Sequence, residues 1–168
     1  DWTLSRGLGD VYKRQLMNDI FSSQDIEIDF ITGSDSTEYQ NYIEQDLSDC
    51  AFIITSKSFS TIETLTSYSA ITKGKLLDQT FAVTSAVNKA EAFGIDSNNI
   101  AQVDLGTGGR FSIWSAVNLG LFISLGRHGF ANLLSGAKSI DDLSSIDVNN
   151  NPALSLAIQD LIMNNVLE

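Results

Sequence analysis

Ala51-Phe52-Ile53-Ile54-Thr55-Ser56-Lys57-Ser58-Phe59-Ser60-Thr61 holds the two signals that decide the fold. Ala51 to Ile54 is a continuous apolar run, the pattern of a central parallel strand buried on both faces. It runs directly into Thr55–Thr61, in which five of seven residues carry hydroxyls and one an ammonium. Glu63 to Lys73 then reads as a helix with Leu65 and Ala70 available for packing, and Lys73-Gly74-Lys75 is its stop signal. Strand, polar loop and helix in that order form one step of an α/β unit.

Outward from this unit the rhythm repeats. Ile26-Glu27-Ile28-Asp29-Phe30-Ile31 alternates apolar and acidic side chains, which suits a strand near a sheet edge. A helix is expected from an N-cap at Ser34 to Ser36 to about Leu47, with Tyr39, Tyr42, Ile43 and Leu47 on one face. Phe81-Ala82-Val83-Thr84 reads as a third strand, and Asn88 to Phe93 as a short helix ending at Gly94. Phe111 to Leu125 reads as a buried helix with Phe111, Trp114 and Phe122 in the core, and Gly126-Arg127-His128-Gly129 as a loop after it. His128 is the single histidine, and nothing in its context gives it a role. The tail is helical, with Asn151 as N-cap and Pro152 at the first position. Ala153 to Leu167 is apolar enough to need further protein around it. The class is α/β, a parallel sheet flanked by helices.

Composition narrows the function. Lys+Arg number 10 against Asp+Glu 21, a formal charge of -11, which repels the polyphosphate backbone of nucleic acids. The single Cys50 cannot form an internal disulfide, and in its apolar run it reads as a buried hydrophobe of a reducing compartment. Zinc clusters are excluded on the same count, and no metal site is expected. The apolar stretch 111–125 is shorter than the roughly 20 residues of a membrane span and carries Ser112, Ser115, Asn118 and Ser124. No secretion signal is recognisable, so the expected location is the cytoplasm.

The first fifteen residues stand apart. Asp10-Val11-Tyr12-Lys13-Arg14-Gln15 resembles the in-frame translation of a transposon end used to prepare sequencing libraries, so residues 1–15 are set aside from the fold, Trp2 included. This removes three of the 10 basic and two of the 21 acidic residues, leaving 7 against 19. The expected organisation is then a domain over 16–135, lacking its first part, and a helical region over 136–168.

Two clusters carry chemistry. Ser56, Lys57, Ser58, Phe59, Ser60 and Thr61 follow the C-terminal end of a strand, where open parallel sheets bind ligands. Hydroxyls, helix N-terminal amides and one cation are what a phosphate requires, although an ordinary Ser/Thr loop with N-caps has the same composition. Gly108-Gly109-Arg110 places a cation at the expected start of a helix, where the dipole disfavours it. Arg110 therefore faces either a bound anion or a carboxylate such as Asp104. Glu63, in the first turn after the loop, either decorates the helix dipole or positions Lys57.

The run Phe52–Thr64 resembles the sugar-phosphate loop of the glucose-6-phosphate isomerase family. Three further motifs follow in the family's order: Phe93-Gly94-Ile95-Asp96, Gly108-Gly109-Arg110-Phe111-Ser112-Ile113-Trp114-Ser115-Ala116, and Leu133-Leu134-Ser135-Gly136-Ala137. The resemblance covers residues 16–168 and implies a sugar-isomerase (SIS-type) domain truncated at both ends. It implies that Ser56–Thr61 hold the substrate phosphate and that Arg110 stabilises an enediolate, with Glu63, Gly108 and Gly109 in support. Glucose 6-phosphate and fructose 6-phosphate would interconvert without metal or organic cofactor, in a protein that forms homodimers. The family's upstream glycine-rich loop is missing, and its glutamate base, histidine and lysine fall beyond Glu168. Thr107 and Ile62 also depart from the family pattern, and the approach from Asp104 is one residue longer. The implied function is that of an isomerase fragment inactive on its own. The alternative is a non-catalytic sugar-phosphate-binding regulatory module of the same fold; an aminosugar isomerase fits Gly108–Ser112 less well.

Overall fold

The computed structural model describes residues 2–5, 26–31, 36–107 and 109–166. Among them a parallel sheet of five strands runs through the first of two compact units, residues 1–126 and 127–168. The strands are β1 (Trp2–Ser5), β2 (Asp29–Ile31), β3 (Phe52–Thr55), β4 (Thr80–Thr84) and β5 (Ile100–Gln102). Their order is β2-β1-β3-β4-β5, and each neighbouring pair is parallel. Between them lie α1 (Ser36–Ile43), α2 (Ile62–Thr72) and α3 (Val87–Phe93); α4 (Leu119–Ser144) and α5 (Pro152–Val166) complete the chain.

β3 sits at the centre of the sheet and every one of its residues is buried, as its unbroken apolar run requires. Successive side chains point to opposite faces, and the core divides accordingly. Phe52, Ile54 and Ala82 join one cluster with Phe59, Tyr68, Ile71, Ala90 and Ile95, while Ile53, Val83 and Val103 join the other. β2 is an edge strand, as its acidic alternation implied. Burial, then the neighbouring charge of Glu27, holds the Asp29 carboxyl above the usual carboxylate range. Helix stops are equally local. α2 closes on Lys73 in the left-handed region followed by Gly74 at φ 70°, and α3 closes on Gly94 at φ 110°.

The structure departs from expectation in several places. The fifteen residues set aside contribute β1, which pairs with both β2 and β3; Asp10–Gln15 lie outside the described residues. β5 went unrecognised, because three residues with a terminal Gln carry little periodic signal. α1 ends at Ile43, although Leu47 beyond it is still buried. Cys50 is partly buried at the edge of the core.

The largest difference is at 111–125. No continuous helix forms there; 3-10 turns occupy Gly109–Trp114 and Ala116–Asn118, and α4 begins only at Leu119. Ser and Asn side chains compete for backbone groups and so break helices. Here the Ser115 hydroxyl donates to the Ser112 carbonyl (2.6 Å) and accepts from Val117 N–H (3.3 Å), while the Asn118 amide donates to the Ile113 carbonyl. Trp114 is consequently 50% exposed and Phe122 also lies at the surface.

α4 bends at Gly126, whose φ 64°, ψ 173° is open only to glycine. The two compact units meet there, and His128 lies in the resumed helix rather than in a loop. In the second unit, Asn151 Oδ1 accepts from the N–H groups of Ala153 and Leu154 (both 3.1 Å), and Pro152 opens α5. Leu156, Leu161 and Met163 of α5 are each about three-fifths exposed, and apolar surface of this kind drives association. The isolated chain is expected to elute ahead of a monomer in size-exclusion chromatography; a clean monomer peak at micromolar concentration would contradict this. No helix of the described residues is long and apolar enough to cross a membrane.

Candidate functional site

The strand order 2-1-3-4-5 reverses direction between β1 and β3, and in doubly wound sheets ligands bind in the crevice outside the carboxyl ends at such a switch. Residues 56–61 leave the carboxyl end of β3 at this place. Ser56 stays tied to the sheet, its N–H donating to the Val83 carbonyl (3.1 Å). The chain then turns sharply, with Phe59 N–H closing on the Ser56 carbonyl (3.1 Å) and Phe59 itself at φ 46°. A bulky residue in the left-handed region costs on the order of 1–3 kcal/mol and persists only where its surroundings hold it. The Phe59 ring supplies that hold. It is buried in the core and packs edge-on against Phe93 with centroids 5.6 Å apart. Phe59 therefore supports the loop from below, with its ring in the core.

Its neighbours face the other way. Lys57, Ser58 and Ser60 are exposed. The hydroxyls converge in pairs, Ser56 Oγ to Thr61 Oγ1 at 2.9 Å and Ser60 Oγ to Ser58 Oγ at 2.8 Å. Thr61 is the N-cap residue of α2 but makes no side-chain cap bond, and Glu63 occupies the first turn. The loop thus collects hydroxyl donors, helix N-terminal amides with their partial positive charge, and an ammonium.

Several neighbours have no counterpart in the sequence reading. Thr84 Oγ1 (3.1 Å), Ser85 Oγ (3.1 Å) and Ser85 N–H (3.0 Å) all donate to the Lys57 carbonyl, and Lys89 Nζ donates to the Ser58 carbonyl (3.2 Å). Thr55 and Thr64, at the loop's two flanks, bury hydroxyl oxygens that have no hydrogen-bond partner among the described residues. These residues lie up to 31 positions from the loop residues they bond or inside regular elements, and parallel pairing of β3 with β4 brings them together.

The second cluster is only partly described. Gly109 and Arg110 open the 3-10 segment Gly109–Trp114; Gly108 and the Arg110 side chain lie outside the described residues. Because no long α-helix starts there, the dipole argument for Arg110 loses its basis. Asp104 closes its own turn, its Oδ1 accepting from Gly106 N–H (2.6 Å) and its carbonyl from Thr107 N–H (3.0 Å).

The family model of phosphoglucose isomerase matches residues 8–168, a range that begins within the fifteen residues set aside. A glucose-6-phosphate isomerase of Shewanella putrefaciens is 37% identical over 130 residues, 71% of this chain and 24% of that protein. One from Coxiella burnetii is 36% identical over 140 residues, 77% of this chain and 26% of that protein. The chain thus spans about a quarter of the length of these relatives. The crystal structure of a glucose-6-phosphate isomerase from Chlamydia trachomatis superposes with a TM-score of 0.77 at 22% identity, over 97% of this chain and 33% of that one. A hypothetical protein from Thermus thermophilus gives the same score at 19% identity, over 94% and 40%. Those two likenesses concern the fold alone. With almost its entire length inside the family model, the chain belongs to the phosphoglucose isomerase family.

Proposed function

We propose that this chain is part of an enzyme that interconverts glucose 6-phosphate and fructose 6-phosphate, and that residues 56–61 form its phosphate-binding loop. The observation that carries the reading is the position of the loop, at the carboxyl end of the central strand, beside the switch in strand order and leading into the N-terminus of α2. Ser56, Ser58, Ser60 and Thr61 would bond the phosphate oxygens and Lys57 would balance their charge. The names of the relatives supply the sugar.

The chemistry asks for little beyond position and charge. After ring opening, a carboxylate removes the proton at C2 of the aldose, negative charge collects on the enediolate oxygens, the hydroxyl proton moves from O2 to O1, and the carbon-bound proton returns at C1 to give the ketose. Arg110 would stabilise that charge, with Gly108 and Gly109 allowing the backbone to approach; Glu63 supports the loop. The carboxylate that moves the proton would belong to sequence outside this chain. We further read the whole enzyme as a cytoplasmic homodimer, which the family resemblance and the single partly buried Cys50 favour.

The test uses the chain itself and the whole protein side by side. The isolated 168 residues should give no detectable fructose 6-phosphate turnover in a coupled assay, while the full-length protein should be active. Turnover by the pure fragment would overturn the assignment of the proton-transferring group to sequence outside it.

A further inference from the structure

The two carbonyls at the exposed tip of the loop are both tied to the segment where β4 passes into α3. Three donors converge on the Lys57 carbonyl, from the Ser85 N–H, the Ser85 hydroxyl and the Thr84 hydroxyl, which is more than its two lone pairs can bond ideally. The Ser58 carbonyl takes the Lys89 ammonium at 3.2 Å. In a trans peptide the N–H points away from the carbonyl of the same unit. Drawing the Lys57 carbonyl toward Thr84 and Ser85 therefore turns the Ser58 N–H away from them. An anion-binding loop needs its carbonyl dipoles turned away from the ligand and its amides presented to it. A carbonyl left unbonded at the tip would repel an arriving oxyanion; one bonded to an ammonium does not.

We propose that Lys89 is a positioning residue of the phosphate site, fixing the Ser58 carbonyl and placing a second positive charge beside the loop that carries Lys57. The proposal rests on the phosphate reading above. Lys89 is one of only 10 Lys and Arg residues in a chain of net charge -11, so a cation held on this loop changes its local potential appreciably. The bond is exposed, and exposed ionic contacts contribute little to global stability. Loss of Lys89 should therefore appear in ligand affinity and not in unfolding. A lysine that merely decorated α3 would move neither.

The experiment titrates inorganic phosphate into the whole 168-residue chain at low ionic strength and follows the backbone amides of residues 56–61 by NMR. Lys89→Met should weaken phosphate binding by about threefold to tenfold, Lys89→Arg should restore most of it, and Lys75→Met, at the far end of α2, should leave it unchanged. All three should unfold within a degree or two of the parent chain. Unaltered affinity in Lys89→Met, with Lys57→Ala clearly weakened, would overturn the role of Lys89 and leave the phosphate loop standing. A loss of affinity matched by an equal loss of thermal stability would also overturn it, since the effect would then be structural. If the parent chain shows no phosphate-dependent shifts at 56–61, and Lys57→Ala behaves identically, the phosphate reading itself fails and Lys89 falls with it.

Discussion

Arg110→Ala in the full-length protein is expected to lower isomerase kcat by about 10²–10³-fold, with a much smaller change in KM for fructose 6-phosphate. The asymmetry follows from when the charge appears. The substrate hydroxyl and carbonyl are neutral in the ground state, and the enediolate oxygens acquire full charge only as the carbon-bound proton leaves, from C1 when the substrate is fructose 6-phosphate. A guanidinium aimed at them contributes chiefly to the transition state, so its removal falls on kcat. Lys57→Ala should divide the other way. The phosphate is charged before, during and after the reaction, so its partner contributes uniform binding, and KM should rise by about 10–100-fold, the equivalent of one hydrogen bond to a charged group. Both values come from initial rates in a coupled assay across a range of substrate concentrations. An Arg110→Ala enzyme with the parent's kcat would remove Arg110 from the chemistry. A full-length protein that binds fructose 6-phosphate without turnover would move the function to the regulatory reading.

What could be read from the sequence was whatever a short window specifies. β3 and its loop are legible because four apolar residues and a hydroxyl-rich run adjoin; the ends of α2 and α3 are legible because Lys73-Gly74 and Gly94 have local stop chemistry. What was lost depends on distant partners. Trp2–Ser5 became a strand only through its bonds to β2 and β3, and setting it aside also concealed the switch in strand order that gives the loop its crevice. In 111–125 the apolar content was read correctly and the conformation was not. Three side chains, Ser112, Ser115 and Asn118, lie at spacings that a helix tolerates, yet the bonds of Ser115 and Asn118 close 3-10 turns instead. At the site itself, the hydroxyls and Lys57 were visible as a cluster. Thr84, Ser85 and Lys89 were not, because a window of a dozen residues cannot show which loop a β4–α3 junction will face.

Tyr68→Ala is expected to destabilise the first unit by about 3–5 kcal/mol and to lower its thermal midpoint by roughly 10 °C or more, if it folds at all. The sequence makes Leu65 and Ala70 available for packing, and Leu65 does pack, partly buried, against the core; the fully buried residues of α2 are Thr64, Ser67, Tyr68, Ile71 and Thr72. Two hydroxyls of this face are answered within the helix, Ser67 donating to the Glu63 carbonyl (2.9 Å) and Thr72 to the Tyr68 carbonyl (2.8 Å), while the Thr64 hydroxyl is buried without a partner among the described residues. Tyr68 then joins four elements. Its ring meets Phe52 of β3 edge-on at 5.9 Å and Phe93 of α3 at 5.8 Å, and its hydroxyl lies 2.7 Å from Thr80 Oγ1 of β4. The single Thr80 hydroxyl proton goes to the Leu76 carbonyl (2.7 Å), so Tyr68 must be the donor of the bond between them. Truncation to alanine would remove a fully buried ring and open a cavity under the Phe93 ring on which Phe59 and the loop 56–61 rest. Tyr68→Phe keeps the ring and removes one neutral hydrogen bond while Thr80 retains its own acceptor, so it should cost only about 1 kcal/mol. Urea unfolding of the three proteins separates the two contributions. A Tyr68→Ala chain within 1 kcal/mol of the parent would mean that the ring is not what ties α2 to the sheet. A Tyr68→Phe chain as unstable as the alanine variant would place the stabilisation in the hydroxyl instead.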